Sequence, residues 1–441
     1  MEKFIVTGGN KLKGTVRVSG AKNVALKTLI AACLTDEEVT IKNVPLISDF
    51  YTMIKIIKEL GGEVKLTDHT VRIRVRKIKN NEISLDTAAR IRTSFMFIVP
   101  LLLRSRQAVL PNPGGCRLGA RPVDRLVEGL KKMGADINYN SDDGFFYTKA
   151  TKLHGTDYTF EKSTHTGTET LLLAAVLAEG KTILKNAAEE PEIDELISFL
   201  NNMGANIKRT GKRIIQINGV SKLHGASYTI GPDRNEIVTF ACAAIMTHGG
   251  IFIKGAKKEY IGEFLEKLET SGGGVEEKKD GLRFYYKGDL KPVNIETKPY
   301  PGFMTDWQAP WAVLMTQAAG ESAIHETVFE NKLGYIHELQ KMGTKAELFN
   351  PKIENPEKIY NFNLSDDKPS NFHAVRIQGP TNLHNAVLTM RDIRAGAAVL
   401  IAALSAKGES TIYDIDKLDR GYENFEKRLS QLGAKIKRVK E

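Results

Sequence analysis

Six times along the chain a helix-patterned segment closes on the same phrase. It consists of an apolar residue, two variable residues, an apolar or small residue, glycine, a small residue, a variable one and usually an apolar one. Two of the copies are Ile57-Lys58-Glu59-Leu60-Gly61-Gly62-Glu63-Val64 and Leu200-Asn201-Asn202-Met203-Gly204-Ala205-Asn206-Ile207. Gly61, Gly134, Gly204, Gly272 and Gly343 stand 73, 70, 68 and 71 residues apart, and Gly433 follows after 90. A fixed period marks a repeated structural unit. Glycine just past the last apolar position of an amphipathic segment predicts a helix end that turns into a strand.

The rest of each unit repeats too. A segment rich in small apolar residues comes first, over 25–34, 93–103, 171–178, 237–246, 311–319 and 394–406. A short strand follows, over 39–42, 108–110, 180–184, 250–253, 320–325 and 408–413. The amphipathic helix that ends at the repeated glycine comes next. The all-apolar helices should be buried and the amphipathic ones should cover them, with strands between. Six units predict two α/β domains of three. Their boundaries are set at 22–231 for the first and 1–21 plus 232–441 for the second, and strand 4–6 completes a sheet of the second. The extra length of the last units falls at 348–376, rich in Asn, Pro, Lys and Asp, and reads as a surface excursion.

At 441 residues the chain has ample material for two cores, with 41% hydrophobic and 26% charged residues. The formal charge of +10 comes without a basic run or interleaved aromatic and basic patches, so nucleic acid is not expected as a partner. A cleft for small anionic substrates accounts for it equally well. No stretch is long and apolar enough to span a bilayer, and Met1-Glu2-Lys3-Phe4-Ile5-Val6 lacks the apolar centre of a signal peptide. Cys33 and Cys242 lie in apolar helical runs and are expected to be inert core thiols. Three cysteines give no disulfide framework, and no Cys or His pair has ligand spacing. The expectation is a cytoplasmic monomer with no bound metal.

Cys116 stands apart. It lies in Pro111-Asn112-Pro113-Gly114-Gly115-Cys116-Arg117-Leu118-Gly119-Ala120-Arg121-Pro122-Val123-Asp124, with Arg117 and Arg121 on one side of the sulfur. Two cations and little apolar cover favour the thiolate, which suits an acid or a nucleophile at neutral pH. Pro122 suits the first turn of a helix whose N-terminus favours anions.

With this loop and the sixfold unit in hand, the chain resembles the enolpyruvyl transferases, in the branch that acts on UDP-N-acetylglucosamine. The resemblance spans nearly the whole chain. It rests on Ser19-Gly20-Ala21-Lys22-Asn23, the Cys116 loop, Glu190-Pro191-Glu192-Ile193, Thr305-Asp306-Trp307-Gln308-Ala309, Glu326-Thr327-Val328-Phe329-Glu330-Asn331 and Asp419-Arg420-Gly421-Tyr422-Glu423. It implies a two-domain inside-out α/β barrel, three units per domain, whose halves close over the substrates. It also implies transfer of the enolpyruvyl group of phosphoenolpyruvate to the 3′-hydroxyl of UDP-N-acetylglucosamine with release of phosphate, the first committed step of peptidoglycan synthesis. No metal or organic cofactor belongs to that chemistry.

By the family's pattern Lys22, Arg121 and Arg420 hold the phosphate of phosphoenolpyruvate, and Lys332 and Arg394 its carboxylate. Cys116 gives a proton to the vinyl carbon and is the nucleophile that fosfomycin traps. Asp306 accepts the proton of the 3′-hydroxyl; it also suits the N-cap of the helix that follows. Asn23, Asp124 and Val328 contact the nucleotide sugar, and Arg92, Pro122, Val123, Lys162 and Thr164 complete the substrate pocket.

Four positions depart from the pattern. Lys332 replaces an arginine and so gives up a flat two-pronged grip on a carboxylate. Leu126 replaces a histidine, Thr166 a glycine and Met96 a tryptophan. These departures leave two further readings open: another UDP-sugar or nucleoside as acceptor, or a paralogue that binds nucleotide sugar without turnover.

Overall fold

The computed structural model describes residues 2–114 and 123–440. Gly115 to Pro122 therefore lie outside the described residues, Cys116, Arg117 and Arg121 among them. The described residues divide into two units, one of residues 20–114 with 123–231, the other of 2–19 with 232–440.

In the first unit each repeat is a buried helix, a strand, an amphipathic helix and a hairpin. The first repeat runs Lys22–Ala32, Val39–Lys42, Ser48–Glu59 and the hairpin Glu63–Thr67 with Thr70–Arg74. The third runs His165–Ala175, Lys181–Lys185, Pro191–Asn202 and Asn206–Gly211 with Ile214–Asn218. Two of the three sheets gain an outer strand from the connection between repeats, and that of the second repeat has three strands. Asp157–Thr159 adds in parallel to Lys181–Lys185. Ser227–Thr229, after the third repeat, adds to Val39–Lys42 of the first and closes the cycle. The helices are buried and the sheets lie outside them, each turning its apolar face inward: Val71 and Ile73 are fully buried while Arg72 between them is exposed.

The second unit follows the same plan. Its buried helices are Arg234–Met246, Gln308–Met315 and Ile393–Ser405. Every residue of Arg234–Met246 is buried, as an apolar run of small side chains allows. Strand Glu2–Thr7 lies between Glu409–Tyr413 and Lys435–Lys440, both antiparallel, so the sixth hairpin takes one arm from each end of the chain.

All six repeated glycines have a positive φ, from 87° at Gly272 to 105° at Gly433. At each, the glycine amide bonds back to a carbonyl three residues earlier and the next amide to one five residues earlier. Gly134 to Lys131 is 2.9 Å and Ala135 to Leu130 is 3.0 Å. This Schellman geometry satisfies the last helical carbonyls. A Cβ on Gly134 would meet nothing closer than 3.5 Å, so only the backbone conformation resists a side chain there. Gly134→Ala should therefore lower the unfolding free energy by about 1 kcal/mol, read as a shift of the urea midpoint at constant slope.

Two expectations need correction. The segment 93–103 is not a continuous α-helix: Arg92–Phe97 is a 3₁₀ helix and the α-helix is Ile98–Ser105. Pro100 lacks the amide that would bond to Met96, so the α-helical ladder cannot run back through it. The excursion is shorter than 348–376. Lys345–Phe349 and Ala374–Gly379 are hairpin strands that pair Leu348 with Val375, leaving 350–373 as the insertion. That insertion is not wholly superficial, since Tyr360, Phe362 and His373 pack together and are buried.

Candidate active site

Within each unit, polar and charged residues gather where the buried helices begin. Lys22 and His165 open two of those of the first unit and Arg234, Gln308 and Arg394 those of the second, to within one residue, while Arg92 opens the 3₁₀ helix ahead of Ile98–Ser105. A helix N-terminus carries unpaired amides and partial positive charge, so the five α-helical starts favour anions.

In the first unit Lys22 is buried and its Nζ lies 2.7 Å from Asp49 Oδ2. Asn23 and Arg92 are partly exposed, as is Lys162, and Asp124 is exposed at the first turn of Asp124–Lys132, with buried Val123 before it. Thr164 caps His165–Ala175, its hydroxyl oxygen accepting the Gly167 amide at 3.2 Å. Leu126 and Met96 are core residues, so packing explains their apolar character. Cys116, Arg121 and Pro122 lie outside the described residues.

A buried charge cluster in this unit carries no sequence motif. Glu169 is fully buried, with Lys27 Nζ 3.2 Å from one carboxylate oxygen and His165 Nε2 3.3 Å from the other. Burial pushes the Glu169 carboxyl up to about 7, although Lys27 pulls it down. A raised acid is protonated more readily in the folded than in the unfolded protein, so its contribution to stability falls as pH rises from 4.5 through 7. Relative to Glu169→Gln, the wild type should thus lose about 2–3 kcal/mol between pH 5 and pH 8, measurable by urea unfolding at several pH values.

In the second unit the geometry converges on Asp306. It sits in the 3₁₀ turn Thr305–Trp307 ahead of Gln308–Met315. Its carboxylate faces cations: Lys332 Nζ is 2.9 Å from Oδ1 and Arg394 Nε is 3.6 Å from Oδ2. The side chains of Lys332 and Arg394 are only 4% and 8% exposed, while that of Asp306 keeps 31% of its surface open. Burial alone would push the Asp306 carboxyl up, but Lys332, Arg394 and Arg234 outweigh it and hold it well below the ordinary carboxylate range.

Arg394 is fixed at both ends. Asp392 caps its helix, accepting the Arg394 and Ala395 amides at 2.9 Å each, and its guanidinium lies 5.1 Å over the Tyr422 ring. Nη1 of Arg394 is buried with no acceptor among the described residues. Arg420, partly exposed, follows the short helix Asp416–Asp419 and stands two residues before Tyr422. Arg234, which carries no motif in the sequence, stacks over Trp307 at 5.6 Å.

Val328 lies in the loop after strand Gly320–His325, its amide held 2.8 Å from Glu326 Oε1. Glu326, quoted above only as a motif letter, is buried and bonds on both sides, to the Val328 loop and to the Asp306 turn. Asp306 is thus a carboxylate set against two buried cations. The remaining described thiols are poor candidates for chemistry: burial pushes Cys33 up to about 12 and raises Cys242 as well.

The family model for EPSP synthase (3-phosphoshikimate 1-carboxyvinyltransferase) matches residues 6–429. UDP-N-acetylglucosamine 1-carboxyvinyltransferase of Koribacter versatilis is 40% identical, over 100% of this chain and 97% of that protein. UDP-N-acetylglucosamine 1-carboxyvinyltransferase 3 of Caldanaerobacter subterraneus subsp. tengcongensis is 41% identical over the full length of both. Among solved structures, the enolpyruvyl transferase NikO from Streptomyces tendae superposes with a TM-score of 0.87 at 23% identity, covering 99% of each chain. EPSP synthase from Acinetobacter baumannii gives 0.73 at 17% over the full length of both, so these two likenesses speak for the two-domain inside-out α/β fold. Fold, full-length similarity and family match together place this chain in the enolpyruvyl transferase family, with the EPSP synthases and the UDP-N-acetylglucosamine 1-carboxyvinyltransferases.

Proposed function

We propose that the protein transfers the enolpyruvyl group of phosphoenolpyruvate to the 3′-hydroxyl of UDP-N-acetylglucosamine and releases phosphate. The observation that carries this reading is Asp306 set against Lys332 and Arg394, in a chain about 40% identical over its length to transferases of that name.

The reaction is an addition followed by an elimination. The 3′-oxygen attacks C2 of phosphoenolpyruvate while Asp306 takes the hydroxyl proton. Cys116 delivers a proton to C3, turning the methylene into a methyl group and giving a tetrahedral ketal that still carries phosphate. Loss of a methyl proton re-forms the double bond as the C2–O bond to phosphate breaks. Lys22, Arg121 and Arg420 hold the phosphate, and Lys332 and Arg394 hold the carboxylate. Asn23, Arg92, Pro122, Val123, Asp124, Lys162, Thr164 and Val328 serve the nucleotide sugar and its surroundings.

The electrostatics of Asp306 fit a base that acts only with its co-substrate. A carboxyl held far below the ordinary range is a weak base. A substrate carboxylate arriving at Lys332 and Arg394 divides their charge and restores the proton affinity of Asp306 as the hydroxyl must be deprotonated.

The test is phosphate release with each substrate alone, with both, and with a panel of other UDP-sugars and uridine nucleosides. Release that needs both substrates and is fastest with UDP-N-acetylglucosamine supports the reading. Faster release with another acceptor reassigns the substrate, and calorimetric binding of UDP-N-acetylglucosamine with no release from any acceptor overturns the activity.

A further inference from the structure

We propose that Glu326 is a positioning residue for the transfer, fixing the turn that carries Asp306 against the loop that carries Val328 and Lys332. The inference rests on the activity proposed above.

Glu326 is 1% exposed and its carboxylate accepts four hydrogen bonds. Oε1 takes the backbone amides of Val328 at 2.8 Å and Phe329 at 3.0 Å. Oε2 takes the Thr305 hydroxyl at 2.8 Å and the Gln308 side-chain amide at 2.9 Å. Thr305 and Gln308 flank Asp306 on either side, so one oxygen grips the turn that carries the base. The other grips the loop three to four residues ahead of Lys332. Gln308 has no freedom to turn, because the Tyr335 hydroxyl donates to its Oε1 at 2.7 Å and leaves its amide for Glu326. From behind, the Glu326 amide donates to the His373 carbonyl at 2.7 Å, which ties the backbone to the base of the insertion.

All four partners are donors, and an ionised carboxylate is the side chain that accepts from four at once. Glutamine at this position must turn an NH₂ toward one of the two pairs, opposing donor to donor. The turn and the loop then separate by a fraction of an ångström, and misplacement of that order at a reacting centre costs up to about 10²-fold in rate.

The experiment measures phosphate-release kinetics for wild type, Glu326→Gln, Asp306→Asn and the double variant, each checked for folding by its thermal transition. Glu326→Gln should lower kcat about 10–50-fold while KM for phosphoenolpyruvate moves less than about threefold. In the Asp306→Asn background the same change should alter the residual rate less than about twofold, because its effect passes through Asp306. A merely structural role predicts an equal loss in both backgrounds, and that result overturns the proposal, as does an unchanged kcat. Thr305→Val removes a single donor at Oε2 and should lower kcat about 3–10-fold with the same dependence on Asp306, so the test stands if Glu326→Gln does not fold. Wild type that releases no phosphate from both substrates overturns the activity itself, which is a distinct outcome.

Discussion

Cys116→Ala is expected to lower phosphate release by about 10²–10⁴-fold, the range set by loss of a placed general acid. Cys116→Asp should keep turnover, because a carboxyl can also carry a proton to the vinyl carbon, yet escape fosfomycin, because it offers no sulfur to alkylate. The rest of the chain makes the readout clean. Cys33 and Cys242 are buried, with their thiols pushed toward the protonated form, so neither competes for an electrophile at neutral pH. Intact-mass measurement after fosfomycin treatment should show one adduct on the wild type and none on either variant. Alanine at position 116 turning over at the wild-type rate would refute the role given to the thiol.

Asp306→Asn should cost about 10²–10⁴-fold in kcat while leaving KM for phosphoenolpyruvate unchanged or lower. The direction of KM is the informative part. In the structure the Asp306 carboxylate engages both Lys332 and Arg394, and an asparagine there removes the competitor for a substrate carboxylate. A rise in KM parallel to the fall in kcat would mean that Asp306 holds the substrate and does not take the proton. The pH profile gives a second check. A carboxylate with a depressed pKa stays ionised as pH falls, and its charged form is lost only below the ordinary carboxylate range. Lys332→Met removes one of the cations responsible, so the acid limb of kcat/KM should move to higher pH.

What the sequence made legible depended on chemistry that repeats. The six glycines could be read because a left-handed helix end admits few other residues, and all six adopt it. The outer strands could not, since Asp157–Thr159, Ser227–Thr229 and Ile295–Glu296 have two or three residues each, too few to show a period. Lys332 was legible as a cation but not as the partner of Asp306, 26 residues away. Glu169 and Glu326 stayed hidden for a related reason. A carboxylate inside an apolar helix or at a strand end has no local mark of burial, and what makes it matter, Lys27 in one case and Thr305 in the other, arrives from elsewhere in the chain.

Strand Glu2–Thr7 leaves the ribosome ahead of residues 20–231, and one of the two strands that enclose it, Lys435–Lys440, leaves after them. The described residues of the unit that spans 20–231 are all made while Phe4 and Val6 still wait for the strands that will cover them. The pairing of Phe4 with Ile412 and Arg438 thus leaves that sheet incomplete until strands made after residue 231 are available.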